Sequence, residues 1–452
     1  MAKQKTAVLI LAAGKSTRMQ SDFPKVLHPL GGRPLIHYAL DGAKALKPER
    51  AAVVIGPGMA AVAEAVKPWP TVLQKTQAGT ADAVRAARKA LAGFTGDVLI
   101  LFGDTPFLAP ATLKRLLARR RAKPEPAVVV LGFRPADPGE YGRLVTNAAG
   151  DLEAIVEYRE ADAATRRLTL CNSGVMAVDG KALFRLLDRV AKSPAKGEYY
   201  LTDLIAIARK EGLGCAYVEG EAEELLGIND RADLAEAEGL FQLERRARAM
   251  AEGVTLLDPT TVWFSFDTKL GRDVTVGPNV FFGPGVTVAA GAVIRAFSHI
   301  EGAKIGPRAI LGPFARLRPG AEIGEGAHIG NFVEVKAAKV EAGAKVNHLA
   351  YVGDARVGEG ANVGAGTITC NYDGFTKART VIGKGAFIGS NAALVAPVTI
   401  GDGAVVGAGS VITRDVGAFS LALARAEQKE VRGWARARRG KKAIRTGKKK
   451  KG

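Results

Sequence analysis

The chain has 452 residues, 47% hydrophobic and 24% charged, an ordinary globular composition with room for two or three domains. No apolar run approaches the ~20 residues needed to span a bilayer, and three scattered cysteines, Cys171, Cys215 and Cys370, exclude a disulfide framework and lack metal-ligand spacing. The formal charge of +19 is uneven: from Arg425 to Gly452 there are thirteen Lys/Arg against two Glu, and the mild excess elsewhere suits phosphorylated small molecules without implying nucleic acid.

In chain order, the start MAKQKTAVLILAAG is basic and then apolar. Its apolar part, residues 7–13, leads into glycine and charge instead of a cleavage site, so it reads as a buried first strand of a cytoplasmic protein. Residues 51–55, 98–102 and 127–131 are further aliphatic runs, the pattern of strands covered on both faces. Helical stretches at 81–92 and 110–121 lie between them. The expectation for residues 1–229 is an α/β, Rossmann-like, doubly wound sheet, with ligands bound outside the carboxyl ends of its strands.

The first strand ends in Leu11-Ala12-Ala13-Gly14-Lys15-Ser16-Thr17-Arg18-Met19, followed by Pro24-Lys25. A Gly-containing loop after a strand lets backbone N–H groups approach phosphate oxygens, and Arg18 and Lys25 supply positive charge for a transferred phosphoryl group. The string resembles the start of sugar-phosphate nucleotidyltransferases, L-A-A-G-x-G-T-R-M…P-K, with Ser16 in place of the second Gly. Leu73-Gln74 and Gly79-Thr80-Ala81-Asp82-Ala83 resemble that family's uracil-reading segment. Asp104, closing a strand in Phe102-Gly103-Asp104-Thr105-Pro106, is placed to hold Mg²⁺. The stretches Tyr141-Gly142-Arg143, Ile155-Val156-Glu157, Cys171-Asn172-Ser173-Gly174 and Gly227-Ile228-Asn229-Asp230 follow in the family's order. The resemblance implies nucleotide-sugar binding by Leu11, Ala12, Ala13, Gly14, Lys25, Gln74, Gly79, Thr80, Gly142, Glu157, Asn172 and Asn229, with Asn229 completing the Mg²⁺ site.

Residues 230–253 carry helix formers and no proline, so they read as a linking helix capped by Asp230. From Val276 to Ile412 the chain then steps by sixes: an aliphatic residue, a small residue two positions earlier, and often a glycine after it. No helix has that period. It is the signature of a parallel β-helix of hexapeptides, three steps per coil, aliphatics inside and glycine at the corners. Twenty-three steps give about eight coils, ~37 Å at the spacing of paired strands. Three steps are five residues long, and one is thirteen, from Thr369 to Ile382, which predicts a loop leaving the wall.

Polar residues interrupt the repeat in four stretches, around residues 314–320, 331–336, 347–354 and 362–377. Arg318, Lys336 and Asp354 are spaced by eighteen, one full coil each, which predicts a stack on one face with the two cations clamping a phosphate. His348 falls on another face. Imidazole is suited to take a proton near neutral pH, and His348 can meet the clamp only across a groove between two prisms.

With both halves in view, residues 5–434 resemble the family of bifunctional bacterial N-acetylglucosamine-1-phosphate uridylyltransferases / glucosamine-1-phosphate acetyltransferases. That resemblance implies a left-handed β-helix at 254–425, a homotrimer, and acetyl-CoA and UTP as co-substrates. It further implies His348 as the base that deprotonates the amino sugar, supported by Glu334, with Asn371 orienting the amine. Arg318, Lys336, Tyr351, Asn362 and Lys377 would bind glucosamine 1-phosphate. Ala365, Asn371, Tyr372, Ser390, Ala408 and Arg425 would contact acetyl-CoA; after Arg425 the family's Arg-Val-Pro reads Arg425-Ala426-Glu427 here. The residues alone leave open a nucleotidyltransferase whose prism is only structural, or a scaffold with an inert transferase domain. The tail at 426–452 reads as basic and disordered, with no specific nucleic acid partner and no membrane insertion.

Overall fold

The computed structural model describes residues 5–193 and 197–439. The chain divides into two compact units, Met1–Arg245 and Arg246–Gly452. No helix among the described residues is long and apolar enough to cross a membrane.

The first unit is built on a nine-stranded sheet. Its strands are β1 (Thr6–Leu11), β2 (Arg50–Ile55), β3 (Thr71–Leu73), β4 (Asp97–Phe102), β5 (Val128–Phe133), β6 (Arg143–Thr146), β7 (Leu152–Val156), β8 (Cys171–Asp179) and β9 (Cys215–Glu219). The order is β9-β5-β8-β4-β1-β2-β3, with the β6–β7 hairpin attached to β8. β1 is wholly buried, and the pleat divides it between two cores. Ala7, Leu9 and Leu11 face one hydrophobic cluster; Val8 and Ile10 face the other. A continuous aliphatic run is therefore required of this strand, because both of its faces carry helices.

Two features depart from expectation. β8 runs antiparallel to both β4 and β5. The helix expected at 81–92 is regular only over Thr80–Ala86. Beyond it the chain continues in mixed turns, with tighter bonds from the Arg88 N–H to the Arg85 carbonyl and from the Ala92 N–H to that of Lys89 around a single α-type bond from the Leu91 N–H to the Ala87 carbonyl. The division between the units falls within the helix Arg231–Ala251. Asp230 caps it, its Oδ1 accepting from the N–H groups of Ala232 (2.8 Å) and Asp233 (3.0 Å).

The second unit is a left-handed parallel β-helix with three walls. Wall one has ten strands, from Thr255–Leu256 to Leu421–Ala422; walls two and three have eight each. The prism thus extends past both ends of the recognisable repeat, because its terminal coils bury different side chains, among them Val262 and Phe264. The stepping aliphatics Ile294, Leu311, Ile329 and Val346 stack in the interior, each buried completely. Burial of each contributes roughly 1.5–3 kcal/mol relative to exposure.

With the exception of Gly312 (φ +88°), the glycines that follow the stepping aliphatics are not left-handed and do not make the corners. A Cβ on Gly324 would lie 2.7 Å from the Ala342 backbone nitrogen of the next coil, so that glycine permits close coil stacking. The left-handed corner is two residues on, at Gly326 (φ +60°).

Strand register corrects one stack. Arg316 pairs with Glu334, so Arg318 does lie under Lys336. Glu334 pairs with Tyr351, however, which sets Lys336 beside Gly353 and moves Asp354 to the adjoining corner. The five-residue step between Val335 and Val340 shortens that coil to seventeen residues. Within the tail at 426–452, residues 434–439 are helical and exposed; residues 440–452, including Lys448–Lys451, lie outside the described residues.

Candidate active sites

Adjacent parallel strands build the first site. Leu11 at the end of β1 pairs with Phe102 at the end of β4, so the two following loops leave the sheet side by side. Ala12 and Ala13 are buried and offer a ligand their backbone only. Ser16, where the family pattern has glycine, sits at φ +56°. Its hydroxyl spans the loop, donating to the Gly14 carbonyl (3.2 Å) and accepting from the Lys25 N–H (3.3 Å). Serine accepts that left-handed geometry by tying down the turn that glycine would leave free.

Arg18, Lys25, Asp104 and Asn229 converge. Lys25 Nζ is ion-paired with Asp104 Oδ2 and lies 3.5 Å from Asn229 Oδ1; Arg18 Nη2 donates to that same amide oxygen at 3.0 Å. Asn229 is oriented from behind, its Nδ2 donating to the Gly227 carbonyl (3.0 Å) and its N–H to Asp233 (2.7 Å). Two hard oxygen donors thus point at one position. That set fits Mg²⁺, which commonly takes one or two protein ligands and fills the rest of its octahedron with water and phosphate. No cluster of three or more His, Cys, Asp or Glu able to hold a metal occurs among the described residues.

Gln74 is buried, and its Nε2 donates to the Gly79 carbonyl (2.9 Å) and to Asp82 (2.8 Å). Asp82 is the partner that sequence reading passed over. Burial pushes its carboxyl upward, but hydrogen bonds from Gln74, Thr76 and the Ala78 N–H outweigh this and hold it below the usual range. It stays charged and fixes which face of the Gln74 amide a base would meet. The Thr80 hydroxyl accepts from the Leu201 N–H at 3.0 Å.

Gly142, Glu157 and Asn172 line a cleft of about 1060 Å³ together with Arg18, Asp104 and Asn229. The Gly142 carbonyl accepts from the Asn172 N–H (2.8 Å), and Glu157 accepts from the Thr202 hydroxyl (3.2 Å). A further residue of this region, Arg143, is 2% exposed and does not line the cleft. It donates to the carbonyls of Pro138 (3.2 Å), Gly139 (3.1 Å) and Tyr141, shaping the turn that presents Gly142. Arg143→Met removes these donors from a buried turn, at a cost on the order of 3 kcal/mol. The expected result is a thermal midpoint several degrees lower and a raised KM for the sugar phosphate, measured by calorimetry and initial rates.

In the prism the predicted residues fall into three groups. Arg318, Lys336 and Tyr351 are on wall three, where Glu334 accepts from Arg318 Nη1 at 2.9 Å. Asn331, His348 and Asn362 are on wall one. The partner of His348 is therefore Asn331, not Glu334: Nδ1 lies 2.7 Å from Asn331 Oδ1, and the two residues pair across strands. An amide oxygen can only accept, so Nδ1 carries the proton and Nε2 presents its lone pair. Asn331 carried no such role in the sequence, because its pairing with His348 depends on the five-residue step that shortens this coil to seventeen residues.

Ala365, Ser390 and Ala408 form the third group, a column on successive coils. The Asn391 N–H donates to the Ala365 carbonyl (2.7 Å) and the Gly409 N–H to that of Ser390 (2.8 Å). Arg425 closes the column by donating to the Ala408 carbonyl at 2.9 Å. The thirteen-residue step forms the expected loop, with Tyr372 and Lys377 bridging antiparallel and Phe375 92% exposed.

A nucleotide-binding sheet with a cation–carboxylate focus, followed by a hexapeptide prism, defines a two-domain transferase. Residues 8–171 match the MobA-like NTP transferase domain, and residues 267–302, 302–337 and 379–414 match the bacterial transferase hexapeptide. Over 449 residues, 99% of this chain and all of the relative, it is 60% identical to the bifunctional protein GlmU of Paramagnetospirillum magneticum. It is 62% identical over 431 residues to that of Rhodospirillum rubrum (95% and 96% covered) and 51% over 434 to that of Zymomonas mobilis (95% and 96%). The chain belongs to the bifunctional GlmU family. The hexapeptide matches leave out 338–378, the stretch with His348 and the loop.

Proposed function

We propose that the chain acetylates glucosamine 1-phosphate from acetyl-CoA in its prism, then joins the product to UMP from UTP in its first unit. The end product is UDP-N-acetylglucosamine, with pyrophosphate released. The observation that carries this reading is the convergence of Arg18, Lys25, Asp104 and Asn229 beyond two adjacent strand ends. Incubating the protein with glucosamine 1-phosphate, acetyl-CoA and UTP, and identifying products by mass, tests it directly.

Uridylyl transfer needs no protein nucleophile. A phosphate oxygen of N-acetylglucosamine 1-phosphate attacks the α-phosphorus of UTP, and pyrophosphate leaves. Arg18 and Lys25 offset the charge that builds on the phosphates, and the loop at 12–16 positions them. Mg²⁺ held by Asp104 and Asn229 would supply further charge neutralisation at the triphosphate. Seven carboxylates line the cleft against the guanidinium groups of Arg18 and Arg159, so a polyanion needs that cation to settle there.

For acetyl transfer, His348 Nε2 takes a proton from the sugar ammonium or the attacking amine. A C–N bond forms at the thioester carbon, the C–S bond breaks, and CoA leaves as the thiol. Asn331 keeps the imidazole in the tautomer this requires. Arg318 and Lys336 clamp the sugar phosphate, and the column Ala365, Ser390 and Ala408 lines the acetyl-CoA path.

His348 and the clamp belong to different walls, which favours a site shared between copies, in a homotrimer. The corner beside His348 supports this: Phe297, Phe314 and Phe332 stack there at 4.9 and 5.1 Å, about half exposed, with Leu349 next in line. A second copy of the chain would cover that ladder. Mixing His348→Ala chains with Lys336→Ala chains, each inactive alone, should recover part of the acetyl transfer after subunit exchange. No recovery would refute a shared site. Free thiols and cytoplasmic co-substrates suit a cytoplasmic location.

A further inference from the structure

The first clue is an unusual side chain at a corner. Gly302, Gly320, Ala337 and Asp354 occupy equivalent left-handed corners of successive coils, at φ +54°, +82°, +44° and +46°. Each N–H in the last three bonds back to the coil before. Several corners of the prism carry side chains in this geometry, Phe314, Phe332 and Leu349 among them, and aspartate adopts it readily; what sets Asp354 apart is what its carboxylate meets. Asp354 is also the coil position directly under the inserted loop. Tyr351 pairs with Ile368 at the ordinary spacing, whereas Ala355 pairs with Thr380, so all the extra chain lies between them.

Both ends of that insertion are tied to Asp354. Its carboxylate Oδ2 accepts from Asn371 Nδ2 at 2.5 Å, and its backbone carbonyl accepts from the Thr380 N–H at 3.2 Å. Asn371 is 9% exposed although Tyr372 beside it is 60% exposed. Its carbonyl accepts from the Ala378 N–H (3.0 Å), closing the stem, and its Nδ2 also reaches Tyr351 Oη at 3.4 Å. Asp354 further lines an open cavity of about 490 Å³ with Glu322, Lys339, Lys377 and Arg379, where the two carboxylates offset the repulsion of three cations.

We propose that Asp354 is a positioning residue for acetyl transfer: it pins both ends of the loop at 371–380 and so places Asn371, Tyr372 and Lys377. This rests on the reading of the prism as an acetyltransferase. The hydrogen-bond acceptor, not the charge, sets the Asn371 contact, because an amide oxygen at the same place can take the same proton.

Asp354→Gly and Asp354→Asn separate the possibilities in the full-length chain. Glycine keeps the left-handed backbone and removes the acceptor; asparagine keeps both. With Gly, kcat/KM for acetyl transfer should fall about ten- to hundredfold, mainly through KM for both substrates, as expected for misplaced binding groups. Hydrogen exchange at Ala378, whose N–H is held by the Asn371 carbonyl, should speed up, while Thr380, bonded to the residue-354 carbonyl that glycine keeps, and the prism strands stay protected and uridylyl transfer is unchanged. With Asn, acetyl transfer should stay within about threefold of the parent. Parental activity in the Gly variant, an Asn variant as impaired as Gly, or loss of protection throughout the prism would each overturn the proposal. A parent chain with no acetyl transfer would instead refute the underlying functional reading.

Discussion

Replacing His348 by alanine should lower acetyl transfer by about 10²–10⁴-fold, the usual contribution of a positioned general base, while uridylyl transfer stays at the parental rate. The amino sugar is protonated near neutral pH, and only an amine with a free lone pair attacks the thioester. Nε2 of His348 is the available acceptor, because Nδ1 is engaged by Asn331 Oδ1 at 2.7 Å. Asn331→Leu should then act through His348. It leaves the base in place but releases its ring, giving a smaller loss that appears in kcat. His348 is solvent-exposed, so removing it opens no cavity and leaves the interior stack intact. If acetyl transfer survived in His348→Ala, the prism would use another base and the tautomer argument would fail.

Asp104→Ala should lower UTP-dependent pyrophosphate release by about 10²–10³-fold, the scale for losing one aligned electrostatic partner at a reacting phosphate. Acetyl transfer in the same chain should be unaffected. Two effects compete at this position. Losing the carboxylate weakens Mg²⁺ binding, but it also frees Lys25, now ion-paired with Asp104, to meet phosphate. The first should win, since a divalent ion held there would neutralise twice the charge that the freed Lys25 carries. Asp104→Asn, which retains one oxygen donor, should recover part of the rate at raised Mg²⁺. Undiminished release in Asp104→Ala would refute the metal assignment.

The two units were legible in different ways. β1 and β4 are continuous aliphatic runs because both their faces are buried, and the motifs at their ends are local strings of residues. The antiparallel β8 was not legible, since its side chains satisfy the same two cores whichever way the strand runs. Arg143 stands in the sequence only as the end of the Tyr141-Gly142-Arg143 string, and the fold alone brings the carbonyls of residues 138–141 around it. Asp82 likewise acquires its role from Gln74, eight residues away across a turn.

In the prism, the residue pattern alone was enough for the architecture, the coil number to within its atypical ends, and the separation of His348 from Arg318 and Lys336. A six-residue period is a local property, and each step repeats the same burial of one aliphatic side chain. Which polar residues meet is settled by the fold alone. One five-residue step shortens a coil, shifts every later residue by one position, and replaces the Lys336–Asp354 stack with Lys336 beside Gly353. The same shift brings Asn331 to His348 and sets Asp354 at the stem of the inserted loop. Hydrophobic periodicity survives such a slip because any aliphatic fills the interior, whereas a hydrogen bond depends on the one side chain that lies opposite.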